Sequence, residues 1–104
     1  MAQYTVDLTH QDLVGKTDWT PPKPDKFKSG DEITFTSTAG NWRVQFADSP
    51  FKTTAAIQDF GGAKDAKSAA TIEPERIGTF PFGCMLNVNG QDVEYENGGD
   101  DIRT

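Results

Sequence analysis

From Phe80 to Val88 the chain alternates without a break, with Phe80, Phe82, Cys84, Leu86 and Val88 at every second position. Successive side chains of an extended chain point to opposite faces, so these five share one face of a strand. Asn89-Gly90 follows at once, the dipeptide best suited to the two positive φ angles of a type I′ hairpin turn. A two-residue turn there sets Val88 opposite Gln91, Leu86 opposite Val93 and Cys84 opposite Tyr95. The pattern predicts a closing hairpin in which Cys84 is a core residue shielded from solvent.

The same period recurs upstream. Tyr4, Val6 and Leu8 alternate with Thr5 and Asp7, a half-buried first strand. His10 to Lys16 is polar and reads as a loop. Trp19 precedes Pro21, Pro22 and Pro24, which cannot donate to a ladder; this is an extended connector or a sheet edge, with Trp19 lying against the core. After a Ser29-Gly30-Asp31 turn, Ile33 and Phe35 form one strand, and Trp42, Val44 and Phe46 the next. A reversal about Ala39-Gly40 would set Ile33 opposite Phe46, Phe35 opposite Val44 and Ser37 opposite Trp42. The alternation fits that hairpin and equally fits two strands of opposite sheets.

Residues 53–70 differ in kind. Ala is frequent, β-branched residues are few, and Gly61-Gly62 splits the segment, so one or two short helical turns or an ordered loop are expected. Thr71-Ile72-Glu73 opens a strand before Pro74, and residues 97–104 read as a polar, frayed tail. About seven short strands with few helices predict an all-β fold, a two-sheet Greek-key β-sandwich. With 104 residues and no internal repeat, the chain is expected to form one domain, residues 1–104.

Charge narrows the function classes. Sixteen acidic against ten basic residues give a net charge of −6, the wrong sign for neutralising phosphates or an anionic membrane surface, so neither nucleic acid nor a membrane is expected as partner. One cysteine excludes an internal disulfide and a multi-cysteine zinc site. The first residues carry no basic segment followed by an apolar run, so no signal peptide is expected, which favours the cytoplasm.

Residues 27–95 resemble the cupredoxin family of blue-copper proteins. Phe27-Lys28-Ser29-Gly30-Asp31-Glu32-Ile33-Thr34-Phe35 is similar to that family's strand after a Gly-Asp turn. Asn41-Trp42-Arg43-Val44-Gln45-Phe46 is similar to the segment that carries its first His ligand. Gly78-Thr79-Phe80-Pro81-Phe82-Gly83-Cys84 resembles the family's approach to the ligand cysteine. A blue-copper site needs two His and one Cys, usually with a distant axial Met. Only Cys84 stands in a matching place. Trp42 occupies the position expected for the first His, and the family's Cys-x-x-His becomes Cys84-Met85-Leu86-Asn87. The ligand loop shrinks to the Asn89-Gly90 turn. The resemblance therefore implies a cupredoxin-like sandwich without its metal.

Few residues remain for chemistry. Cys84 and Met85 could bind Cu(I) if the fold brought His10, the single histidine, beside them, since soft sulfur suits that ion. Otherwise no metal or cofactor is expected. Pro21-Pro22-Lys23-Pro24-Asp25-Lys26 matches a pattern read by SH3-type domains, and equally a proline-rich connector. Glu73 and Glu75 flank a proline and read as a solvated turn. Asp92, Glu94, Glu96, Asp100 and Asp101 make an acidic end without an intervening base, while Lys16, Lys23, Lys26 and Lys28 make a basic one, a polarity that suits a head-to-tail contact and equally a solvated surface. There is no catalytic triad arrangement and no phosphate loop. The expectation is a non-enzymatic binding or structural module that meets a protein partner or associates with itself. The alternative is a metal-handling or electron-transfer protein with a non-standard copper site at Cys84 and Met85.

Overall fold

A computed structural model describes residues 2–11, 14–51, 58–94 and 100–104, and among them the alternating stretches become strands of two sheets. The strands are β1 (Gln3–Gln11), β2 (Val14–Thr20), β3 (Glu32–Thr36), β4 (Asn41–Phe46), β5 (Gln58–Gly62), β6 (Lys67–Thr71), β7 (Thr79–Val88), β8 (Gln91–Glu94) and β9 (Asp100–Arg103). One sheet has the order β2-β1-β3-β6, in which β1 runs parallel to β3 and the other neighbours are antiparallel. The other has the order β5-β4-β7-β8. Along β7, Leu86 has Trp42 of β4 on one side and Val93 of β8 on the other, while Phe82 lies between Phe46 of β4 and Asp100 of β9. The far edge of β7 is thus shared by β8 and β9.

The period of two puts one face of each sheet inside. Val6, Leu8, Ile33 and Phe35 of the first sheet meet Val44, Phe46, Phe82, Leu86, Val93 and Ile102 of the second in one apolar core. Polar positions between them face outward, as Arg43 and Gln45 do between Trp42, Val44 and Phe46. The result is an all-β, sandwich-like arrangement.

The closing hairpin forms in the expected register: Leu86 faces Val93 and Val88 faces Gln91 across Asn89-Gly90, with φ of 54° and 83°. The Cys84 and Tyr95 pair lies outside the described residues. The two strands around Ala39-Gly40 do not form a hairpin with each other. β3 pairs with β1 and β6, and β4 with β5 and β7. Phe35 and Phe46 meet across the core instead, with ring centroids 6.2 Å apart. The link crosses between the sheets and is tied to β1: the Ser37 hydroxyl donates to the Leu8 carbonyl at 2.6 Å, and the Thr38 N–H and hydroxyl donate to the Asp7 carboxylate at 3.0 and 2.9 Å.

Nine strands form among the described residues where about seven are expected, and three further expectations need correction. The polar stretch from His10 to Lys16 is not simply a loop, because β1 continues to Gln11 and pairs Thr9 with Lys16 and His10 with Gly15 of β2. The outward positions of a hairpin at a sheet edge need no apolar residues, so polarity does not mark its strands. The segment 53–70 holds no helix among the described residues; β5 and β6 lie there, joined by the turn at residues 63–66, while residues 53–57 lie outside the described set. The tail expected over 97–104 is strand β9 from Asp100 to Arg103, with Ile102 fully buried; residues 97–99 are outside the described set.

Candidate functional site

The inner positions of β2 are Gly15, Thr17 and Trp19, and those of β9 are Asp100 and Ile102. The proline-rich segment after Thr20 returns Lys23 to the same place. These pieces, distant in sequence, converge on the Asp100 carboxylate. Its Oδ2 accepts from the Thr17 hydroxyl at 2.8 Å and from Trp19 Nε1 at 3.0 Å. Its Oδ1 accepts from Lys23 Nζ at 2.7 Å and from the Asp101 N–H at 2.8 Å. Lys23 Nζ also donates to the Asp101 carbonyl at 3.1 Å and lies 5.7 Å from the centre of the Trp19 ring.

Burial alone would raise the pKa of Asp100. The bonds from Lys23, Trp19, the Asp101 N–H and Thr17 outweigh it and hold the carboxyl below its usual range. An ordinary Asp titrates near 3.9, so between that value and the folded one only the unfolded chain takes up the proton. The stabilisation is therefore complete above about pH 4 and is lost as the pH falls through the folded pKa. Asp100→Asn should cost about 2 kcal/mol at neutral pH, because it leaves donors short of a charged acceptor. Urea unfolding of both proteins at about pH 7 and pH 3 checks this. The gap should shrink in acid, and an equal gap at both pH values would refute the assignment.

Cys84 sits on the inner face of β7, beside Val44 of β4, and is buried. Burial, and secondarily the charge of Asp100, push its thiol far above the ordinary range. A neutral thiol is a poor nucleophile and a poor metal ligand. Met85, the next residue, faces outward and is 37% exposed. His10 lies near the end of β1 in the other sheet, with its Nδ1 buried and without a hydrogen-bond partner among the described residues. Cys84 and Met85 are thus on opposite faces of their strand. Among the described residues, no three His, Cys, Asp or Glu side chains are grouped to hold a metal ion.

The chain matches no known protein-family model, no characterised protein and no solved structure. The site therefore has to be understood from its own chemistry. Asp100 is saturated by internal donors and holds segments together rather than reaching outward. Beside it an open cleft of about 250 Å³ is lined by Lys23, Pro24, Asp25, Asp101 and Arg103, with charges of both signs. In the Pro-x-x-Pro segment Lys23 is committed to Asp100, while Pro21 and Pro22 remain exposed. The acidic end, which has no intervening base in sequence, meets Lys23, 77 residues away from Asp100. The cluster of Thr17, Trp19, Lys23 and Asp100 was not legible from the chain, since its members share no motif. The one local signal is the alternation of Asp100 with Ile102, which gives them a common face.

Proposed function

We propose that this protein is a non-enzymatic binding or structural module on a metal-free, cupredoxin-like Greek-key sandwich, acting through a protein partner or through copies of itself. The neighbours β3 with β6 and β4 with β7 support the topology, because the chain crosses between the sheets at β3–β4, β5–β6 and β6–β7. The placement of Cys84 carries the functional reading. The thiol is part of the core, Met85 points the other way, and His10 belongs to the opposite sheet. The polar groups that do converge, around Asp100, satisfy one another.

Titration of the purified protein with Cu(I) and with Cu(II) tests this reading against a metal-handling role. The expected result is no stoichiometric tight binding and no difference between the wild type and Cys84→Ser. Tight one-to-one binding that Cys84→Ser abolishes would establish the copper reading in its place.

A further inference from the structure

Cys84 and Met85 set two sulfur atoms side by side in sequence on opposite faces of β7. Cys84 faces the core and is 7% exposed. Burial, and secondarily the charge of Asp100, keep its thiol neutral, and peroxides react with the thiolate rather than the thiol. Met85 is on the outer face of the second sheet and is 37% exposed. A thioether has no proton to lose, so access alone controls its oxidation. That access is present. A cleft of about 170 Å³ opens beside Met85 between β4, β7 and β8, lined in part by Arg43 and Asn87. A water molecule takes about 30 Å³ of liquid, so the cleft has room for a peroxide and its solvent. Arg43 is the register partner of Met85 on β4. Its guanidinium is 58% exposed and donates to the Asp59 carboxylate at 3.2 Å, which leaves further N–H groups of its five. Facing partners of this kind have their Cβ atoms about 5 Å apart, within reach of both long side chains.

We propose that Met85 is a site of reversible oxidation by peroxides, with Arg43 donating to the sulfoxide oxygen once it forms. With hydrogen peroxide, the Met85 sulfur gives an electron pair to one peroxide oxygen, the S–O bond forms and the O–O bond breaks. The second oxygen takes the proton of the first and leaves as water. Sulfur loses two electrons and the peroxide gains them. A dithiol reverses the step through a methionine sulfoxide reductase: it supplies two electrons, becomes a disulfide, and the oxygen leaves as water. Arg43 makes the product more than a lesion. Beside a guanidinium an apolar thioether gains little, whereas a sulfoxide offers a strong acceptor to a charged donor. The side chain stands outside the core, so packing between the sheets is kept. An exposed apolar group on the outer face becomes a polar one while Cys84 behind it stays reduced. Neither the core nor the Asp100 cluster takes part, so the inference stands apart from the proposed function.

The full chain is treated with hydrogen peroxide in native buffer and in urea, and peptide mapping by mass spectrometry follows each sulfur. The expected result is a gain of one oxygen at Met85, with a native rate within about tenfold of the unfolded rate, while folding slows Cys84 by at least about a hundredfold. Methionine sulfoxide reductases of both epimer specificities, supplied with a dithiol, should return Met85 to its original mass. Native protection of Met85 as strong as that of Cys84 overturns the site, and so does oxidation of Cys84 ahead of Met85. A sulfoxide that the reductases leave in place in the native protein overturns its reversibility. The role of Arg43 is read from urea unfolding before and after oxidation. The wild-type midpoint should barely move, and that of Arg43→Gln should fall on oxidation. Equal shifts in the two proteins overturn the contact with Arg43. The mapping uses the wild type alone, so it decides the site even if the variant does not fold.

Discussion

Gly40→Ala should be among the most damaging single substitutions in the chain, destabilising it by about 3 kcal/mol or more. Gly40 ends the link that carries the chain from β3 to β4 and is buried against the last residues of β7. A methyl group there would lie 2.0 Å from the Asn87 carbonyl oxygen and 3.0 Å from its carbon. Both are backbone atoms, and Asn87 is held in register between Asn41 of β4 and Asp92 of β8, so neither can swing aside. Relief requires parting β4 from β7 or moving the link, which the Ser37 and Thr38 bonds tie to β1. Gly90→Ala is the control. Gly90 has nothing within 4 Å of an added methyl and pays only for its φ of 83°, about 1 kcal/mol. Urea unfolding of the two variants should rank Gly40→Ala far below Gly90→Ala. Equal losses would show that the close approach at Asn87 is readily relieved.

The contrast between these glycines marks what the sequence discloses. Gly90 announces itself, because Asn89-Gly90 after an alternating strand demands one turn type and fixes which residues face each other. By sequence Gly40 fits a turn glycine of the same kind. Its role depends on β7, which lies beside it only because the chain crosses sheets. Alternation gives the face of a side chain and not the identity of the neighbouring strand, so it puts Ile33, Phe35, Val44 and Phe46 in the core and leaves open whether they pair in a hairpin or lie in opposite sheets, as they do. The edge strands were harder still. β5 and β6 draw on Gly, Ala and Ser, and the only bulky apolar residue in either is Phe60. β9 has only Ile102 as an apolar residue. Its real anchor is Asp100, whose side-chain donors come from residues 17–23. That convergence is a property of the folded chain and leaves no periodic trace.

The other large effect is expected at Phe35. Its ring lies 5.1 Å from Phe60, 5.9 Å from Phe82 and 6.2 Å from both Phe46 and Phe51, centroid to centroid. These five phenylalanines come from β3, β4, β5, β7 and the segment after β4, so the cluster fastens both sheets at one point. Its near-perpendicular and tilted pairs fall within the range where ring quadrupoles attract beyond simple burial. Phe35→Ala empties a fully buried site enclosed on both faces, and should cost about 3–5 kcal/mol. Phe35→Leu keeps most of the volume and should cost clearly less. A double-mutant cycle of Phe35→Leu with Phe82→Leu should leave a coupling of about 0.5–1.5 kcal/mol, because these rings face each other across the two sheets. Additive losses would mean that the cluster acts through volume alone. A small loss for Phe35→Ala would mean that the sheets do not depend on this contact, and would contradict the core described above.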